Sequence, residues 1–557
     1  MDGSAGAFVL SSLYPKMDLM KSKLSRILVI CFGLLRSDAS AYESPKLVLA
    51  IVVDQMRYDY LERSPHLLAT NGFRLLLERG AFMTSGKYNH YPTVTGPGHA
   101  SFLSGCGPAV HGIISNDWFD RKTGKDIYCC ADTNVIAVGT TNRSEMSPRN
   151  FVGATVADQM RLRYNSKVIG ISFKDRAAIL PAGKKPRGAF WFDSKTANFI
   201  TSTYYTTNLP NWVVQFNDRK VAQSFAGKTW DRLFDAKEYM FADNESGEGR
   251  LSMETNSVFP HVINIATNNV DAVLQSPFGD ELLMQFAIAA IDGENLGRGE
   301  QPDLLCVSFS SNDMVGHTFG PYSHEIQDLT FRLDRQFEKL FNHIDGKIGL
   351  NHVIVVWTAD HAVAPTPEFA TSMGLDGHRW NSGNFFTNLQ ARLEANYGSG
   401  KYFQNNKLPY GVYLNHDTVR EKGLDEAKVA NAIREYALST GIFQACFTRE
   451  QLLNGNAPGW IGETVLNGYN AERGPDVVFV GKPFGLATTS KTGTSHGSPY
   501  GYDTRVPIAF FGRAFKPGRY ADQFFITDIA PTLCAALRIL EPPGSMGRVA
   551  VQILSNE

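Results

Sequence analysis

Six side chains of two types are spaced in a way that could hold metal ions. Asp54 closes an apolar run, and Asp360-His361 closes another. Asp313 and His317 are spaced i, i+4, which puts both on one face of a helix. His496 sits in Thr494-Ser495-His496-Gly497-Ser498, a loop composition in which a core histidine has no role. Singly, each has a plain reading. An Asp at a strand end caps a helix or a turn, and Asp-x-x-x-His arises often by chance. As a set they are three carboxylates and three imidazoles, a mixed oxygen and nitrogen donor set that suits zinc. Two such ions side by side suit phosphoryl transfer, one serving the attacking oxygen and one the leaving oxygen.

A nucleophile candidate lies in Pro92-Thr93-Val94-Thr95-Gly96-Pro97-Gly98-His99-Ala100-Ser101. Gly, Pro and Gly followed by helix-forming residues to Leu103 put Thr95 at a helix N-terminus, with Pro97 in the first turn. Free backbone N–H groups and the helix dipole there favour an oxyanion or a phosphate. A plain Thr N-cap is the competing reading.

The elements that must position these residues are legible as continuous apolar, β-branched runs: Lys46 to Val53, Lys167 to Phe173, Asp303 to Phe309, His352 to Trp357, Asp476 to Val480 and Val506 to Phe511. Such runs suit strands buried on both faces of a parallel sheet. Helical patterns lie between them, as at Glu325 to Ile344 and Asp425 to Leu438. The expectation is an α/β fold: a doubly wound, mostly parallel sheet with helices on both faces, with polar groups gathered at the carboxyl ends of its strands. Two stretches break the rhythm, near 190–270 and 365–470, and read as cap insertions in one domain spanning 42–557.

The ordered set resembles the alkaline phosphatase superfamily. Strand-borne Asp54, Thr95 in a TGPGHAS turn, Asp313-x-x-x-His317, Asp360-His361 and distal His496 stand in that family's order, and the match runs from about Lys46 to Thr532. The resemblance implies one zinc on Asp313, His317 and His496. It implies a second on Asp54, Asp360 and His361, with Thr95 as further ligand and as the nucleophile that becomes phosphorylated. Ala362 departs from the Gly that many relatives carry after Asp-His.

Other residues select the branch. Sulfatases carry a modified Cys or Ser in C/S-x-P-x-R; Cys106-Gly107-Pro108-Ala109-Val110 has Val where Arg is required. Asn116, 21 residues after Thr95, with Lys174 and Arg176 after a buried run, resembles the Thr-nucleophile monoesterases, in which an Asn, a Lys and an Arg bind the non-bridging oxygens. A monoester dianion carries one more charged oxygen than a diester, and Lys and Arg meet it with charge-assisted bonds. The implied function is hydrolysis of small-molecule phosphate monoesters. The alternative is a nucleotide pyrophosphatase or phosphodiesterase of the same superfamily, and a non-catalytic phosphate or phospholipid binding protein with a dead site is the reading from another class. His99 and His111 read as supporting residues, and His378 and Trp380 as candidates for a leaving-group pocket.

Composition is consistent with this. The 557 residues are 43% hydrophobic and 20% charged, which excludes disorder as the main state. Lys plus Arg is 54 against 55 for Asp plus Glu, so no net charge draws the chain to nucleic acid or an anionic membrane. Lys21, Lys23 and Arg26, the short apolar run Ile27 to Leu35 and Ala39-Ser40-Ala41 read as a start extension and signal peptide over 1–41, implying export to the periplasm or medium. No later segment suits a membrane span. Of seven cysteines, six follow Ala41, and none forms a CxxC pair.

Overall fold

Leu47–Val53 is buried at every position, as its unbroken apolar sequence requires. It is strand β1 of a ten-stranded sheet in the structure, a computed structural model that describes residues 44–142, 145–265, 270–404 and 410–555. The signal-peptide reading of residues 1–41 lies outside the described residues. The other strands of this sheet, in chain order, are β2 (Ala81–Met83), β3 (Ala137–Val138), β4 (Val168–Ser172), β5 (Gly188–Asp193), β6 (Asn198–Ser202), β7 (Asp303–Phe309), β8 (Val353–Thr358), β9 (Ile508–Phe511) and β10 (Gly518–Tyr520). Their spatial order is β10-β2-β9-β8-β1-β7-β4-β5-β6-β3.

The centre of the sheet is parallel. Ala50 of β1 pairs with Cys306 of β7 and with Val356 of β8, and β4 and β5 continue the parallel ladder. Toward the margins the pairing turns antiparallel, at β8–β9, β9–β2, β5–β6 and β6–β3, while the edge pair β2–β10 is parallel. The run Val506 to Phe511 therefore supplies an antiparallel strand, since periodicity does not encode direction. The run Asp476 to Val480 leaves this sheet altogether. Val477–Gly481 is the middle strand of a separate antiparallel sheet with Gly411–Val412 and Phe443–Thr448.

Helices cover both faces. Along β5, Ala189 and Trp191 pack with Ile179 and Leu180, whereas Phe190 points the other way onto Phe286. Ile179 ends α2 (Asp175–Ile179) and Phe286 belongs to α3 (Pro277–Glu294), so alternation along one strand separates two helical layers. The long helix α5 (His324–Lys347) follows α4 (Ser311–Phe319) and starts at Ser323, whose side chain accepts from Ile326 N–H.

Of the stretch 190–270, β5 and β6 belong to the sheet; the rest is loops and short elements. The stretch from 365 carries Ser382–Tyr397, Glu426–Ser439 and the three-stranded sheet, around its own apolar cluster of Phe385, Leu389, Val429 and Phe479. Both stretches reach the loops of the site: from the first, Gly249 N–H donates to Thr318 O at 2.7 Å, and from the second, an Arg379 terminal nitrogen donates to Gly493 O at 2.8 Å.

Candidate active site

Four neighbouring strands deliver the site. The chain leaving β8 carries Asp360-His361, that leaving β1 carries Asp54, that leaving β7 enters α4 with Asp313 and His317, and that leaving β4 carries Lys174 and Arg176. The carboxyl edge of a parallel sheet collects these residues because every such strand ends on the same side. The fifth contributor is α1 (Thr95–Ser104), which starts at Thr95 and closes on Gly105 in the left-handed conformation, φ 71°. A Cβ at Gly98 would lie 2.2 Å from Asp360 O, so glycine permits the helix to sit against the end of β8. No side chain caps α1. Its Gly96 N–H donates instead to Asn116 Oδ1 at 2.8 Å, which fixes the Asn116 amide and leaves its NH2 as a donor.

The three histidines share one arrangement. His317, His361 and His496 each donate Nδ1–H to a backbone carbonyl: Thr494 at 2.8 Å, Ala362 at 3.0 Å and Thr93 at 2.8 Å. This sets the tautomer and turns Nε2 inward, as in histidines that bind metals. Asp313, His317 and His496 offer ligand atoms within 4.8 Å of one another, and so do Asp54, Asp313 and His361. Asp360 Oδ2 lies 3.3 Å from His361 Nε2, and Asp54 Oδ1 lies 3.5 Å from the same atom. Asp313 thus stands between both groups, where the resemblance placed it in one.

These atoms fit a cation. Asp54 Oδ1 and Asp360 Oδ2 are buried and accept no hydrogen bond. The nearest N–H to the latter, His99 Nδ1 at 3.3 Å, donates to Thr95 O at 3.0 Å. Carboxylate oxygens and an imidazole lone pair facing one another in a dry site repel unless a positive charge lies among them. Burial, then the Asp313 and Asp360 charges, push the Asp54 carboxyl well above its usual range. Burial opposes the charge on Asp313, yet Lys174 and His317 hold it well below that range. Burial and the neighbouring His361 and His317 keep His496 neutral, the form that ligates.

Lys174 and Arg176 part company. Lys174 Nζ pairs with Asp54 Oδ2 at 2.7 Å and Asp313 Oδ2 at 2.5 Å, because a buried ammonium takes the nearest buried carboxylates. Arg176 reaches the nucleophile: one terminal nitrogen donates to Thr95 Oγ1 at 3.4 Å and the other to Tyr128 OH at 3.1 Å. Tyr128 in turn donates to Asp175, which also accepts Arg176 N–H. Thr95 Oγ1 lies 3.5 Å from His361 Nε2 and is 2% exposed as a residue.

Several supporting residues carry no sequence signal. Gln55 spans 305 positions to give its N–H to Asp360 Oδ1 at 3.0 Å, and its side-chain NH2 donates to Asp313 Oδ1 at 2.6 Å. It does so from a left-handed backbone, φ 67°, in the turn after Asp54. Asn312 Nδ2 donates to Asp54 O at 2.8 Å. Tyr128 has no motif at all. His99 bridges Thr95 O at 3.0 Å and Ser308 Oγ at 2.8 Å, and His111, whose Nδ1 accepts Ile113 N–H, donates Nε2–H to Ser101 Oγ at 3.0 Å, away from the ligands. Trp380 lines a cavity of about 140 Å³ beside His496, which His378 does not line. The six cysteines are buried and unpaired by disulfides among the described residues, Cys106 included.

Sheet, helix-borne hydroxyl and a carboxylate–imidazole cluster at the strand ends together define a member of the alkaline phosphatase superfamily. More narrowly, the chain belongs to the type I phosphodiesterase / nucleotide pyrophosphatase family, whose model matches residues 48–503. It is 36% identical over 547 residues to alkaline phosphatase PafA of Elizabethkingia meningoseptica, covering 96% of this chain and 99% of that protein. It is 36% identical over 522 residues to alkaline phosphatase PhoV of Synechococcus elongatus, covering 92% and 93%. The crystal structure of wild-type PafA superposes with a TM-score of 0.88 at 36% identity, covering 92% of this chain and all of the other.

Proposed function

We propose that the chain is an alkaline phosphatase that hydrolyses small-molecule phosphate monoesters through a phosphothreonine intermediate on Thr95, with two zinc ions. The observation that carries the reading is the convergence, around one buried hydroxyl, of three inward-facing Nε2 atoms and three buried carboxylates. Asp313, His317 and His496 would hold one ion, and Asp54, Asp360 and His361 the other, with Thr95 as a further ligand. When bound, the ions supply Lewis acidity that brings a hydroxyl, and later a water, to its reactive deprotonated form near neutral pH.

The chain's own residues do the rest. Thr95 attacks phosphorus in line, and the leaving alkoxide departs opposite. Arg176, held by Tyr128, and the Asn116 amide, held by Gly96 N–H, face the non-bridging oxygens. Lys174 adds a second charge; cations on Asp54 and Asp313 compete for the carboxylates that now occupy its ammonium. Water then cleaves the phosphothreonine and releases inorganic phosphate. Export rests on the 1–41 pattern. Among the described residues no helix is long and apolar enough to cross a membrane.

The family's name favours a second reading, diester or pyrophosphate hydrolysis. The two are separated by kcat/KM for an aryl phosphate and for its methyl-aryl diester, with zinc present. The proposal expects the monoester to be preferred by orders of magnitude; the reverse ratio would replace it with the diesterase.

A further inference from the structure

We propose that Asp503 is a positioning residue that keeps the two candidate metal groups in register, acting through the backbone beside one histidine of each. The inference rests on the metal reading above. Asp503 is 1% exposed. Its main-chain carbonyl accepts Ala362 N–H at 2.8 Å, directly after His361. Its Oδ2 accepts Ser498 N–H at 2.8 Å, two residues after His496. A single residue therefore pins a point next to His361 and a point next to His496.

Thr93 closes the bracket from the other side. Its carbonyl accepts His496 Nδ1–H at 2.8 Å, and its hydroxyl donates to Ser498 O at 2.8 Å. Thr93 also lies two residues before Thr95, so the same bracket reaches the nucleophile's segment. The His361 and His496 rings stack with centroids 3.5 Å apart and planes 15° apart, so the two histidines flanking the bracket are in direct contact.

The loop needs such restraint. Gly497 adopts φ 119°, a conformation only glycine takes freely. The loop also borders the cavity of about 140 Å³, into which it can shift when unpinned. An outer hydrogen-bond partner of this kind governs how well a ligand is aimed. Its loss typically weakens metal binding about 10- to 100-fold.

The test follows zinc release from the purified holoenzyme into a chromophoric chelator, alongside thermal melting and steady-state kinetics, for Asp503→Ala, Asp503→Asn and Asp334→Ala. Asp334 is also buried and accepts two backbone N–H groups, from Ala69 and Phe73 at 2.6 Å each, but bonds none of the candidate ligands. Asp503→Ala should lose one of its two ions about 10- to 100-fold more readily and lower kcat more than it changes KM. Asp503→Asn keeps an oxygen for Ser498 N–H and should stay within about threefold of wild type. Asp334→Ala should melt earlier yet hold zinc as wild type does. Thr93→Val removes only the hydroxyl and covers a failure of Asp503→Ala to fold; it should speed release about three- to tenfold. Wild-type zinc affinity in folded Asp503→Ala, or in Thr93→Val if the former does not fold, overturns the inference. So does zinc loss that merely tracks melting temperature across all variants. A wild-type protein with fewer than two ions overturns the metal reading itself, and this is seen before any variant is made.

Discussion

Replacing Arg176 by Ala should cost monoester hydrolysis far more than diester hydrolysis. Arg176 is the cation that reaches Thr95 without pairing with a candidate carboxylate ligand: it bonds Thr95 Oγ1 and Tyr128 OH, whereas Lys174 is engaged with Asp54 and Asp313. Arg176 is therefore the cleaner perturbation, because Lys174→Ala also unpairs two carboxylates. A charge-assisted hydrogen bond contributes about 1.5–3 kcal/mol, so one such bond to the monoester's extra charged oxygen corresponds to about a 10- to 150-fold loss in kcat/KM. A diester presents a neutral substituent there and should lose less than about threefold. Tyr128→Phe leaves the guanidinium in place and removes one hydroxyl contact, so about a 2- to 10-fold monoester loss is expected. The assay is kcat/KM on paired aryl monoester and methyl-aryl diester substrates at saturating zinc. Equal losses on both substrates would refute the reasoning and make Arg176 a structural residue.

Three further outcomes follow from the site and its surroundings. The purified protein should contain about two zinc ions per chain, as expected of a paired site, and lose turnover on chelation; an active protein with one ion or none would contradict the paired site. Thr95→Ala should fold and keep its metals but lose most turnover, and acid trapping of wild type should place phosphate on Thr95; label elsewhere would reject the assignment. Glu248 is 7% exposed, and burial, then the facing Glu325 charge, pushes its carboxyl up to about 9. With a folded value above the unfolded one, its contribution falls as pH rises from about 4.5 to about 9, by up to about 3 kcal/mol at pH 7. Glu248→Gln should therefore gain melting temperature over wild type between pH 5 and pH 9, and a pH-independent difference would count against the shift.

The sequence alone determined the strands, the ligand types and the nucleophile's helix, because these are local. β1, β4, β7 and β8 are contiguous apolar runs, and Asp313 and His317 face the same way through helical spacing. The order of strands, the antiparallel pairs toward the margins and the departure of Val477–Gly481 into another sheet were decided by pairing, which a run of valines does not encode. The same holds within the site. Thr95, Asp54, Asp313, Asp360 and the histidines are recognisable by residue type, but Asp313 stands between both groups, and Lys174 pairs with carboxylates, only because four strand ends meet at one edge. Gln55 with Asp360, Tyr128 with Arg176, and Asp503 with Ser498 and Ala362 carry no motif. A supporting hydrogen bond needs only a donor and an acceptor at about 3 Å, and which residues come that close is fixed by the packing of the whole sheet.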